Sequence, residues 1–229
     1  MFSNERSSVI WLHPESTTHI EFARSFRNLS DRLNALGIDS IFPPSPRISV
    51  PSGIALPQEC WYSYTNPARG LKDIVDLVET LMYVDKQISD AASNGASFGN
   101  IFLGGIGQGG FLALEAALCL NKPFAGIICL NGDFPLSFST SMRENTPVPV
   151  LLAGMKSTDE RRASLEALAA DQLSGIGYRV ERMIGERSGL GSCDEFADVC
   201  CSFIERHAPS HRLADQSIDL CMMGNEAAR

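Results

Sequence analysis

No apolar run in this chain of 229 residues reaches the ~20 residues that a membrane-spanning helix needs, so no membrane span is expected. Positive charge is scarce. Nineteen Lys and Arg face 27 Asp and Glu, a formal charge of −8, and no Lys/Arg cluster forms a local exception. That balance disfavours a nucleic-acid surface. The seven cysteines include no C-x-x-C pair, and the four histidines stand at no zinc-finger spacing, so no metal is expected. Reduced, buried thiols of a cytoplasmic protein are the expectation instead. Met1–Arg6 show no basic segment followed by an apolar one, so no secretory signal is expected. Internal repeats, low-complexity tracts and a second domain are missing as well.

What is present is an ordinary globular composition, 44% hydrophobic and 20% charged. At this length one α/β domain can bury a full core. The patterning predicts strand Val9–Leu12, a helix over about Thr18–Leu36 ended by Gly37, and strand Ile38–Phe42. Residues 43–66 carry five prolines before Trp61-Tyr62 and read as a long irregular loop. A helix follows over about Pro67–Ala92, with Ile74, Leu77, Val78, Leu81, Val84 and Ile88 as its buried stripe. Further strands are predicted at Phe124–Leu130, Val148–Ala153 and Tyr178–Ile184, with helices at about Thr158–Leu173 and Cys193–His207. Alternation of this kind predicts a mostly parallel sheet with helices on both faces. Residues 1–208 make a single domain, and 209–229 form a weakly patterned tail expected to be flexible.

The chain is organised around Asn100–Leu114. An apolar strand breaks at a glycine cluster and resumes as a helix with Leu112, Ala116 and Cys119 on one side. Strand, sharp turn and helix are the context of the G-x-S-x-G nucleophile elbow of α/β-hydrolases. The five residues here are Gly105-Ile106-Gly107-Gln108-Gly109, so glycine stands where the serine would be. Glycine adopts strained backbone conformations without the cost that a Cβ imposes. The turn can therefore persist while the attacking Oγ is absent.

Several separated segments then resemble the acyl-protein thioesterase and carboxylesterase family of α/β-hydrolases. Ile10–His13 resembles its Leu-His-Gly strand end, and Phe42-Pro43-Pro44-Ser45-Pro46 its Phe-Pro-x-Ala-Pro segment. Trp61-Tyr62 resembles its Trp-Tyr, and Gly105–Gly110 its Gly-Phe-Ser-Gln-Gly-Gly elbow. Pro149–Gly154 resembles its later strand, and together the matches cover about residues 8–207 in order. The resemblance implies an α/β-hydrolase fold and a Ser-Asp-His triad hydrolysing carboxylic esters or thioesters, and it implies no cofactor.

Against that pattern the chain departs at each working position. The nucleophile position holds Gly107, and the acid position aligns with Ser157, with Asp159 two residues on. The Gly-x-x-His context of the base reads Gly185–Cys193 without a histidine, and Leu190 or a neighbour takes its place. His207 and His211 follow the last helix and His19 begins the first, while His13 corresponds to a structural histidine in the family. The family's oxyanion hole takes one N–H from the residue after the nucleophile, here Gln108, and another from just past His-Gly. That second segment has become His13-Pro14-Glu15. Proline has no N–H, a Glu15 carboxylate would repel an oxyanion, and one lost donor typically costs about 100- to 1,000-fold.

The pattern implies a chain that lacks the triad, a pseudoenzyme binding a hydrophobic small molecule or a protein partner. Two alternatives stand beside it. One is an active esterase with a rearranged nucleophile such as Cys193 or Ser188. The other is a non-hydrolytic biosynthetic catalyst using Asp133, Asp159, Glu186 or Arg187 near the strand ends, where the same groups can equally be solvated charges and helix caps. His13, Glu15, Trp61, Ile106, Gln108, Asp133, Phe134, Glu186 and Cys193 are the pocket candidates. Trp61 and Phe134 with the proline-rich loop would make an apolar cleft, or else belong to the core.

Overall fold

A computed structural model describes residues 6–15, 17–46, 59–64, 74–132, 148–155, 160–185 and 193–209. Expectations for Pro67, Asp133, Phe134, Ser157, Asp159, Glu186, Arg187, Ser188, Leu190 and the tail beyond 209 lie outside the described residues.

Short, wholly apolar runs build the sheet because its strands are covered on both faces. Strands β1 (Ser7–Leu12), β2 (Ile38–Ile41), β5 (Ile101–Ile106), β6 (Gly126–Leu130), β7 (Pro149–Met155) and β8 (Arg179–Gly185) pair in the order β2-β1-β5-β6-β7-β8. Every pairing in this sheet is parallel. Alternate side chains divide the core in two. Ile10, Leu12, Leu103, Ile127, Cys129, Val150 and Leu152 face one layer, which includes α3 (Leu77–Ser93), α4 (Gln108–Cys119) and α5 (Glu160–Gly175). Val9, Trp11, Phe102, Ile128, Leu130 and Leu151 face the other, which includes α1 (His19–Ser25), α2 (Arg27–Ala35) and α6 (Cys193–His207).

The strand order reverses at β1. The chain leaves β1 for β2 on one side and returns past it to β5 on the other. Crossovers of fixed hand travelling in opposite directions put their helices on opposite faces. The carboxyl ends of β1 and β5 are therefore the topological switch point of the sheet, where ligands of open α/β sheets bind. His13 and Gly107 stand at those two ends.

Three elements depart from expectation. The helix expected over Thr18–Leu36 is divided at Phe26 (φ −96°, ψ 12°), where the buried ring packs on Phe22 and Trp11. Hydrogen bonds still run through the bend, from Phe26 N–H to Phe22 O and from Ser30 N–H to Phe26 O. The helix expected from Pro67 begins at Leu77. Ile74–Val75 (β4) instead pair antiparallel with Ser63–Tyr64 (β3), so Ile74 is no part of a helical stripe. Asp76, left-handed at φ +64°, stops the helix from extending backward, and it accepts a hydrogen bond from Ser63 Oγ. Val78, expected in the buried stripe, is 69% exposed. Finally, α4 has no single apolar stripe. Gln108–Leu114 are buried without interruption, whereas Cys119 is exposed. Cys200 and Cys201, on α6, pack into the core.

Candidate functional site at the strand-to-helix turn

Gly107 connects β5 to α4 with φ +57° and ψ −119°. That ψ is far from the left-handed helical well near +47°, so a side chain here is strained whatever its size. The N–H of Gly107 donates to Leu130 O, and its carbonyl accepts from Phe111 N–H, which fixes the bend between sheet and helix.

The two outer glycines serve a different purpose. A Cβ on Gly105 would lie 2.4 Å from Gly109 C and 2.6 Å from Leu12 O. A Cβ on Gly109 would lie 2.1 Å from Leu12 O and 2.8 Å from His13 O. Both clashes are with backbone, so neither can be relieved by turning a side chain. At Gly107, by contrast, a Cβ would find only Pro14 Cβ, at 3.7 Å, an ordinary contact. Glycine at 105 and 109 lets α4 press against the end of β1. Glycine at 107 answers to backbone conformation alone.

Residues 13–15 and 59–62 wall the turn. His13 is fully buried, and its Nδ1 lies 2.9 Å from Pro14 O. Its ring rests on the Trp61 indole, centroids 4.8 Å apart. Trp61 is itself fully buried, and its Nε1–H donates to His13 O at 2.8 Å, so it stands beneath the site rather than on an open cleft. Gln108 holds the same segment with its side chain: Oε1 accepts from Trp61 N–H at 3.1 Å, and Nε2–H donates to Tyr62 O at 3.2 Å. Thr80 Oγ1–H donates to Trp61 O. Ile106 is buried and points into the other core layer. Glu15 is exposed. Cys193 opens α6.

Two carboxylates escaped the reading of the sequence. Glu59 stands 3.7 Å from His13 Nε2, and its Oε2 accepts from His19 N–H at 3.1 Å. Glu166, buried on α5, faces the end of β7: its Oε2 lies 2.7 Å from where a Cβ on Gly154 would be. Arg182 lies 3.7 Å from its other oxygen. A signal for Glu166 existed, since Ala169, Ala170 and Leu173 share its helical face and are buried. Glu59, in a proline-flanked segment, gave none.

Burial holds His13 below the ordinary histidine range; the Pro14 hydrogen bond and the Glu59 charge partly offset this, and His19 adds to it. The ring is therefore neutral near pH 7. Among the described residues no group of three or more His, Cys, Asp or Glu could hold a metal ion, and no helix is long and apolar enough to cross a membrane.

A parallel six-stranded sheet with helices on both faces, bent at Gly107 into a buried helix, is an α/β-hydrolase fold. The chain belongs to the phospholipase/carboxylesterase family, whose profile matches residues 3–207. It is 26% identical over 149 residues to a probable carboxylesterase of Oryza sativa subsp. japonica, an alignment covering 62% of this chain and 63% of that relative. It is 22% identical over 218 residues to acyl-protein thioesterase 1 of Gibberella zeae, covering 90% of this chain and 93% of the relative. Among solved structures, SOBER1 of Arabidopsis thaliana superposes with a TM-score of 0.71 at 20% identity, covering 88% of this chain and 99% of that one.

Proposed function

We propose that this family member is a pseudoenzyme: it keeps the hydrolase scaffold without a working Ser-Asp-His triad, and it binds a hydrophobic small molecule or a protein partner. The observation that carries the reading is Gly107. It occupies the strained bend at φ +57°, the position from which an elbow residue presents its side chain, and it has none to present. The surroundings support it. His13, at the end of β1 beside the bend, is fully buried against Trp61 with Nδ1 committed to Pro14 O, a poor position from which to take a substrate proton. Pro14 brings no N–H to the segment where the family draws an oxyanion donor.

Purified protein assayed with p-nitrophenyl esters and acyl thioesters, beside the same protein heat-denatured as control, is expected to show no turnover above that control. Turnover well above it, with copurifying esterases excluded by an active-site-directed probe, would overturn the reading. Labelling of Cys193 or Ser188 by an acylating probe would favour a rearranged nucleophile instead.

A further inference from the structure

The fully buried His13 ring is in an unusual position. Its Nδ1 is occupied by Pro14 O, while its Nε2 has no hydrogen-bond partner among the described residues. Glu59 Oε2 is 3.7 Å away, too far for a hydrogen bond, and is already shared with His19 N–H and with His19 Nδ1 at 3.4 Å. A proton arriving on Nε2 enters a site from which water is excluded. Among the described residues, the charged groups facing it are Glu59 from the 59–62 segment and His19 from α1, and α4 contributes the neutral Gln108 amide.

The segment packed on this ring is 59–62, whose Trp61 and Tyr62 side chains are themselves fully buried. It is held by the Trp61 Nε1–H bond to His13 O, by both ends of the Gln108 amide and by Thr80. Lifting it would expose Nε2 to water and open the wall beside the Gly107 turn.

We propose that His13 is a proton-operated release for residues 59–62: acidification favours the form in which the segment lifts and the charged ring is hydrated. The direction follows from linkage. With the segment closed, burial disfavours the charged ring; with it open, the ring titrates near the ordinary value of about 6.5. The open form therefore binds the proton more tightly, and its population rises as pH falls through that window, by at most about tenfold per pH unit. Glu59 works against release, because its negative charge favours the proton in the closed form. His19 works with it. The inference goes beyond the proposed loss of hydrolysis and does not depend on it.

Residue-resolved hydrogen exchange on the full chain, corrected for intrinsic rates, tests this between about pH 7.5 and about pH 5.5. The Trp61 amide, which donates to Gln108 Oε1, should lose about threefold to tenfold of its protection on acidification, while the Phe111 amide, which donates to Gly107 O, keeps its own. Glu59→Gln should enlarge the loss, and His13→Asn, whose amide can still donate to Pro14 O, should abolish it. Should His13→Asn fail to fold, His19→Asn should shrink the loss. Unchanged Trp61 protection, an equal loss at Phe111, a smaller loss in Glu59→Gln, or no change in effect on replacing His13 or His19 would each overturn the proposal.

Discussion

Restoring a serine at the bend separates scaffold from chemistry in one substitution. In Gly107→Ser the new Cβ meets only Pro14 Cβ at 3.7 Å, so space does not oppose it. The cost is conformational. Holding a residue with a Cβ at φ +57°, ψ −119° should destabilise the protein by about 1–3 kcal/mol. For a chain of this size each kcal/mol lowers the melting temperature by about 2–4 °C, so a drop of about 2–12 °C is expected. Gly109→Ala supplies the contrast: its Cβ would lie 2.1 Å from the Leu12 carbonyl oxygen, and backbone must move to admit it. It should cost more than about 4 kcal/mol or fail to give folded protein. Calorimetry or circular-dichroism melts measure both, and ester and thioester turnover is followed on the Gly107→Ser protein. That protein should fold, melt lower and remain inactive if, as proposed, no base stands ready to activate the new serine. A Gly109→Ala protein as stable as the parent would refute the packing argument. Turnover by Gly107→Ser at rates typical of an enzyme, about 1 per second or more, would refute the account of the missing base.

Gln108→Ala leaves Trp61 N–H and Tyr62 O buried without their partners, and should cost about 2–4 kcal/mol in urea unfolding. A shift below about 0.5 kcal/mol would mean the clamp holds nothing. Global stability should fall as pH drops from about 6.5 toward the depressed value of His13, because the unfolded chain takes up that proton first. Above that window the contribution is fully present, and His13→Asn should flatten the profile there; an identical profile would assign the slope to other groups. Thiol labelling mapped by mass spectrometry should reach exposed Cys119 in the native state but modify Cys200, whose thiol burial pushes up, only on unfolding. Native-state labelling of Cys200 would contradict the packing of α6.

The sheet was legible because strands such as Val9–Leu12 and Ile127–Leu130 are apolar on both faces, a pattern that only a strand covered on both sides requires. The Gly107 turn was legible from the spacing of glycines between an apolar strand and a helix. Less visible was anything set by one residue's backbone. Asp76 in the left-handed region sets the start of α3 at Leu77, and an aspartate in a helical pattern gives no warning of that. Phe26 satisfied helical spacing and still sits at a bend. Cys119 followed Leu112 and Ala116 at helical intervals, yet as the last residue of α4 it is exposed. Glu59 and Glu166 were missed because carboxylates are read as solvated by default, and only tertiary contact shows them turned inward.

Helix α4 is enclosed from Gln108 to Leu114, and its first turn is wedged against the β1 backbone. Nothing is left for it to slide or tilt along. The Gly107 corner is therefore a rigid datum, set by backbone packing rather than by any side chain of its own.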